Sequence, residues 1–548
     1  MASPVRILER GLLNICGHKS SPPLLPFIMK RSQLAIYSSV LRVVGLVTTT
    51  FIAFFMMPFI VHHLGDRTYG FWALIAAVLG YYGILDLGIV TAVQYHVGKA
   101  IGDGNLEEIN RSVSTSFYAF AALGMASFLL TLMVVPLSGF FVENSADVSI
   151  FRTVLIMMGA GFAVGFPGRA FIGAISAHMR FDLSAWAGIL ILLVRTILIL
   201  LVLGKGGGII ALAGISLVTD ALNYTANYVI LRKILPGLRI SRRLASLTKF
   251  KELFHYSGYA LVIQISDQLR FSIDGWMVGV FVSVAAVTHY SIGGRLSQTF
   301  LSLLIAMLGI LSPWFSQLLG NSDYDGIRRV FLIGTKVSAT LSTIVAVSLI
   351  LYGREFIGKW MGSAYVDAYW PMMLLVLGIF CDVSQLPSVS YMFGVSKHRF
   401  LAAATLSEGL ANVLLSLYWA RKYGMIGVAL GSFVPMVIVK LLIQPAYVCR
   451  SLNISLYRYY LKLLGRSILP PAFASSLIWF IWGRRIDFPN VLMVCAVILL
   501  QATIAGVVSF FLVFGRREQK ELLARLNPVK KLELSGSQAR QFKRGTIA

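Results

Sequence analysis

Gln264, Asp267, Arg270 and Asp274 follow the spacing i, i+3, i+6 and i+10 inside a stretch that is otherwise apolar. On a helix, at about 100° per residue, that spacing keeps the four side chains within roughly 120° of one another. Both carboxylates stand three or four residues from the guanidinium, the separation at which helical side chains meet. Two chemistries are open to such a set. The carboxylates neutralise a buried Arg270, or an anionic ligand displaces one of them and the freed carboxylate takes up a proton or Na⁺. Guanidinium suits the second role because its planar donors bind two phosphate oxygens together.

Other charges are placed as deeply. Arg270 lies fourteen residues into its apolar run, about 21 Å from the nearer face at ~1.5 Å per residue. Arg295 and Arg195 lie about ten and twelve residues into theirs, too deep for easy snorkelling. Arg42 is only about six residues in, where it either faces a cavity or snorkels to the interface. Asp220, Asn223 and Asn227 share one helical face, and Glu408, Asn412 and Ser416 another. A carboxylate and an amide on one face offer oxygens to Na⁺ near Glu408 and Asn412; Glu408 could equally pair with Lys440, which shares its segment with Gln444. Asp382 lies in the middle of a further apolar run, and His178 and His398 fall at turns.

Cys16, Cys381, Cys449 and Cys495 have no metal-ligand spacing and read as small packing residues. Nothing matches a phosphate-cradling loop, and no Ser/His/Asp set has an aqueous domain to hold it. No catalytic residue, certain metal site or resident cofactor is expected beyond coupling to H⁺ or Na⁺, so the chain does not read as an enzyme.

These residues must be positioned by membrane helices. Of 548 residues, 57% are hydrophobic and only 13% charged, against roughly 25% charged in a soluble chain. Fourteen runs are long enough to cross a hydrocarbon core of about 30 Å: 36–61, 69–93, 112–135, 149–175, 183–203, 206–231, 256–281, 285–319, 330–352, 368–394, 400–420, 424–449, 463–483 and 489–514. The eighth contains Pro313, where a kink or tilt is expected. Residues 1–28 are polar and Pro-rich, no cleavable signal peptide is expected, and Met29 is as good a candidate start as Met1.

With both termini on the cytoplasmic side, lysines and arginines in the inner segments outnumber those in the outer loops about fourfold. The +25 net charge then matches anionic lipid head groups and needs no nucleic acid.

A repeat divides the chain. GFPGRAFIGAISAHMRF (165–181) and QLPSVSYMFGVSKHRF (385–400) place Pro167, Ser176 and His178 against Pro387, Ser396 and His398 at an offset of 220. GGIIALAGIS (207–216) resembles GMIGVALGS (424–432), and GDGNLEEINR (102–111) resembles GNSDYDGIRR (320–329). The expected fold class is all-α and polytopic: a cytoplasmic tail (1–35), a six-helix lobe (36–231), a basic linker (232–255), a second six-helix lobe (256–449), two further spans with their preceding loop (450–514) and a basic cytoplasmic tail (515–548). Parallel repeats of this kind are a transporter arrangement with the substrate path between the lobes.

YGFWALIAAVLGYYGILDLGIVTAVQYHVGKAIGDGN (69–105) resembles the signature of polysaccharide flippases. These are the O-antigen and exopolysaccharide exporters of the MATE-like multidrug/oligosaccharidyl-lipid/polysaccharide superfamily. Tyr69-Gly70 with Trp72, Leu85-Asp86-Leu87-Gly88 and the Gly102-Asp103 turn carry the likeness, which covers about 30–515. It implies a bacterial inner-membrane protein with two lobes, two extra C-terminal spans, and a path lined by the first two helices of each lobe. The implied cargo is an oligosaccharide on undecaprenyl diphosphate, flipped from the inner to the outer leaflet, with membrane lipids and other polysaccharide-assembly proteins as partners. Arg270, Arg295, Arg195 and Arg42 become the candidate cavity cations, and Asp267, Asp274, Glu408 and Asp220 the coupling or partner carboxylates. Asp86 and Gly88 become helix-bending structural residues. A lipid II flippase has the same span count, and a drug or organic-cation antiporter of the same fold is a further alternative, to be marked by an acid-lined cavity.

Overall fold

The computed structural model describes residues 31–519 apart from 87, 141–144, 309–310, 321, 396 and 517. Both candidate starts, Cys16 and the C-terminal tail from 520 onward lie outside the described residues. All regular structure among the described residues is helical, as hydrocarbon demands of a backbone that must satisfy its own hydrogen bonds.

Eleven stretches are long and apolar enough to cross a membrane. One of them, Arg399–Ser451, is too long for a single crossing and folds back at Gly424: Ser416 Oγ reaches the Val428 carbonyl at 3.3 Å. The seventh and eighth spans fall outside the eleven yet are helical over Leu247–Phe271 with Ile273–Phe281, and Val284–Leu308 with Leu311–Gly320.

Several spans are broken rather than straight. Span two runs Asp66–Gly80, tightens over Tyr81–Asp86, and resumes as Ile89–Gly102 after Gly88 at φ 69°. That left-handed conformation costs a glycine nothing and most residues about a kcal/mol or more. Span four breaks between Gly165 and Gly168, and span ten between Ser384 and Leu386. Pro167 and Pro387, the prolines paired by the repeat, therefore each sit at or beside a break. Span seven breaks at Ser272, four residues before Trp276 and between two charges that the sequence placed on one continuous face.

The linker is shorter than expected. Span six continues to Ile234 and span seven starts at Leu247, so only residues 235–246 join them. Arg232 and Lys233 close one helix, and Lys249 and Lys251 open the next.

Each half buries its own core. Phe120, Phe166 and Phe171 centre one in the first lobe; Phe315, Phe331 and Tyr459 centre one in the second. A seam cluster joins the halves, packing Met57 and Val61 of span one against Trp360 and Tyr365. Spans thirteen and fourteen lie against span nine.

Candidate functional site: a cavity between the lobes

A cavity of about 380 Å³ lies where span two faces spans seven and eight. Tyr69, Trp72 and Ala76 form one wall; Arg270, Asp274 and Arg295 stand on the other. Arg295 is exposed to this space and has no ion-pair or hydrogen-bond partner among the described residues.

Arg270 is held quite differently. Its Nη2 lies 2.6 Å from Asp382 Oδ2 and its Nη1 3.3 Å from Glu408 Oε1. Lys440 Nζ completes a ring of alternating charge, 2.9 Å from Asp382 Oδ1 and 3.7 Å from Glu408 Oε2. Spans seven, ten, eleven and twelve each supply one member. Lys440 and Glu408 are almost wholly buried, and Lys440 sits on a widened helical turn, Ile438–Ile443, a local geometry frequent at functional sites. Neither Glu408 oxygen has a hydrogen-bond partner among the described residues, although two cations face it. Asp267 adds negative field at Arg270 from the same helix.

Asp274 does not serve Arg270, which corrects the expectation from spacing. Its Oδ2 instead accepts hydrogen bonds from Tyr290 at 2.6 Å and Ser432 at 2.7 Å. Asn412 joins this cluster: Nδ2 donates to the Arg270 carbonyl at 3.1 Å, while Oδ1 accepts from Ser416 at 2.8 Å and Ser432 at 3.3 Å. Glu408 and Asn412 thus share a helix but not a site. A cation near Glu408 would meet Arg270 and Lys440, so the expected Na⁺ pairing of Glu408 with Asn412 does not fit this arrangement.

The first lobe holds the remaining candidates away from the cavity. Arg195 donates to Ser216 at 2.8 Å. Asp220 lines a separate pocket of about 200 Å³ with Arg169, Asn223 and Asn227, and Asp86 pairs with Arg169 at 3.4 Å. Neither Arg195 nor Asp220 is among the cavity's lining residues. The Arg42 side chain lies outside the described residues.

At the end that the charge count places outside, the lobes are joined. Thr288 donates to the Asp66 carbonyl at 2.6 Å, Tyr365 donates to the Asp66 carboxylate, and His289 stands 3.7 Å from Asp66 and 2.6 Å from Asp367. Trp360 stacks on Phe54 with ring centroids 4.7 Å apart and donates to the Phe54 carbonyl at 3.0 Å. Gly70 permits this approach: a Cβ there would lie 2.1 Å from the Val284 carbonyl oxygen. At the opposite end Lys249 reaches Glu108 at 2.6 Å and Glu252 at 3.0 Å. Burial opposes the Lys249 charge, but its hydrogen bonds to the two carboxylates outweigh burial and raise its pKa; Glu252 is lowered by the same contact. Gln264 donates to the Gly83 carbonyl at 2.7 Å between the two ends.

Two six-helix lobes enclosing a cavity at their seam, with an additional helix pair, define a polytopic membrane fold. The chain belongs to the polysaccharide biosynthesis protein family, whose profile matches residues 63–369. It is 21% identical over 512 residues to the membrane protein EpsK of Bacillus subtilis, covering 88% of this chain and 96% of that one. It is 23% identical over 431 residues to the "Putative O-antigen transporter" of Shigella flexneri (75% and 97%), and 23% identical over 425 residues to "Probable flippase AglR" of Haloferax volcanii (72% and 80%). Among solved structures it resembles the lipid II flippase MurJ in an inward closed conformation, with TM-score 0.67 at 14% identity, over 87% of this chain and 99% of that one. An inward-facing MATE family transporter of the MOP superfamily gives 0.63 at 13% identity, over 76% and 99%. These structures share the fold.

Proposed function

We propose that the chain carries a lipid-linked oligosaccharide, its glycan joined to undecaprenol through a diphosphate, from the inner to the outer leaflet of the bacterial inner membrane. The cavity between the lobes would open alternately to the two sides. The observation that carries this reading is Arg295: an arginine deep in a membrane span, facing a cavity and without a counter-ion among the described residues. Such a charge costs several kcal/mol unless it is paired or hydrated, and a diphosphate supplies the pairing. Names borne by relatives, O-antigen transporter and flippase, support the same cargo class. A carrier for organic cations would need the opposite sign at this position.

The ion-gradient coupling of this reading falls to the Asp274 cluster. One carboxylate, the Ser432 hydroxyl, the Asn412 amide oxygen, the Ser416 hydroxyl and the Val428 carbonyl are linked in that order by a chain of hydrogen bonds. All are hard oxygen donors, the ligand type Na⁺ prefers, and they lie beside an interrupted helix, where transporters commonly coordinate ions.

The test is complementation of a deletion strain with Arg295→Ala and Arg295→Lys. Arg295→Ala abolishes surface polysaccharide while the protein still inserts, and undecaprenyl-linked oligosaccharide accumulates on the inner leaflet. Normal surface polysaccharide with Arg295→Ala rejects the proposal.

A further inference from the structure

A second pocket, of about 610 Å³, opens at the outer end of the second lobe and takes no residue from the first. Its volume falls within the ~300–1,000 Å³ of small-ligand sites. Arg354 and Glu355 enter it from the end of span nine, Asp367 and the rings of Tyr369 and Trp370 from the start of span ten, and Trp479 from span thirteen. Tyr369 is fixed in place by donating its hydroxyl to the Ile350 carbonyl at 2.9 Å. Arg354 and Glu355 have no ion-pair or hydrogen-bond partner among the described residues.

Aromatic rings at a membrane surface usually form an interfacial belt. A belt presents its rings outward to head groups and does not require charged side chains to converge with them around a concavity. Here three rings and three hydrogen-bonding charges line one hollow, and that pairing has a chemical counterpart. A pyranose ring offers a C–H face that packs on an aromatic ring and a rim of hydroxyls that hydrogen-bond to carboxylates and guanidinium. The signs of the charges narrow the ligand further. Two carboxylates against one guanidinium leave the hollow net negative, which disfavours a phosphate or an anionic lipid head group and favours neutral or amino sugars.

We propose that this pocket is a sugar-binding subsite on the outer face, which holds units of the glycan apart from the diphosphate carried in the central cavity. The assignment rests on the flippase reading for the source of the sugar but not for the binding itself. It also gives span thirteen, which stands outside the two-lobe repeat, a share in cargo recognition. Asp367 additionally holds His289 in the outer seam, so it is left unaltered in the test.

Saturation-transfer difference NMR on the full chain in nanodiscs, with methyl glycosides of hexoses and N-acetylhexosamines as probes, measures binding without lipid or diphosphate. The expected result is transfer to at least one glycoside by the unaltered protein, reduced about fivefold or more by Trp370→Leu and by Glu355→Gln and retained by Arg295→Ala. Trp370→Leu keeps an apolar side chain at the interface, and Glu355 is exposed, so the second variant reads the pocket even where the first disturbs folding. No transfer with any probe, or transfer unchanged in both pocket variants, overturns the proposal and leaves an aromatic belt. Transfer lost with Arg295→Ala instead assigns the sugar to the central cavity and also overturns it. Failure of the flippase reading appears separately, as normal polysaccharide export with Arg295→Ala.

Discussion

Arg270 and Asp382 are separated by 112 residues in sequence and by 2.6 Å in space. The contact ties span seven to span ten, and through Asp382 to Lys440 at 2.9 Å on span twelve. Arg270 is therefore committed to its own lobe, whereas Arg295 faces the same cavity uncommitted. Under the proposed function, the two arginines divide the work of organising the second lobe and of meeting an anion.

That division predicts unequal mutants. Asp382→Ala leaves two buried cations sharing one carboxylate, and removing one partner of a buried pair typically costs about 3–5 kcal/mol. The purified variant should unfold at a clearly lower temperature, while Arg295→Ala, which breaks no ion pair among the described residues, should leave the unfolding temperature nearly unchanged. Equal losses in the two would contradict the assignment.

The Asp274 cluster predicts a specific cation dependence. A ligand that binds only the folded state stabilises it by RT ln(1 + [L]/Kd), about 2.7 kcal/mol at one hundred times Kd. Na⁺ should raise the unfolding temperature of the unaltered protein more than K⁺ does at equal ionic strength. Asp274→Asn should erase that difference, and Glu408→Gln should not.

Gly70 predicts a conformational trap. Gly70→Leu places a side chain where even a Cβ would meet the Val284 carbonyl at 2.1 Å, so the outer seam cannot close as described. A cysteine introduced at Ala73, on the cavity wall, should then react faster with an impermeant maleimide added from outside. Unchanged labelling would show that the seam tolerates the bulk.

The inner contact predicts a pH window. Glu252 is lowered from 4.5, so its contribution is complete above that value and is lost as pH falls through the lowered one. Lys249 is raised from 10.5, so its contribution is complete below that value and is lost only as pH rises through the raised one. His96, 3.3 Å from Lys249, is lowered from 6.5 by burial and the Lys249 charge, so amide hydrogen exchange across 237–252, corrected for its intrinsic pH dependence, should be level from about pH 7 to 9. Lys249→Ala should raise it throughout. Marked variation within that window would show that other groups govern this end.

Composition and charge asymmetry made the membrane class and the span positions readable, because a helix crossing hydrocarbon must be about twenty residues long whatever its neighbours do. The depth of Arg295 was readable for the same reason. Partnerships between helices were not. Asp267, Arg270 and Asp274 share one face on a continuous helix, and the break at Ser272 has no proline or glycine at that position to announce it. Tyr290 and Ser432, which hold Asp274, lie on other spans and carry no local signal. Glu408 with Lys440 was open as a pair, but their joint commitment to Arg270 and Asp382 depends on four spans meeting. The outer seam of Asp66, His289 and Tyr365 was missed altogether; its residues sit at or near the starts of three separate helical elements, and their meeting depends on tertiary packing alone.

The break at Ser272 separates Arg270, the last basic residue of one helical segment, from Asp274, in the first turn of the next. Asn412 spans the gap by donating to the Arg270 carbonyl on one side and to Asp274 at 3.4 Å on the other. In thermodynamic terms, whatever factor an ion at Asp274 contributes to the affinity of an anion in the cavity, the anion must return to the ion. Under the proposed function, that reciprocity would run between Asp274 on span seven and Arg295 on span eight, which line the same cavity.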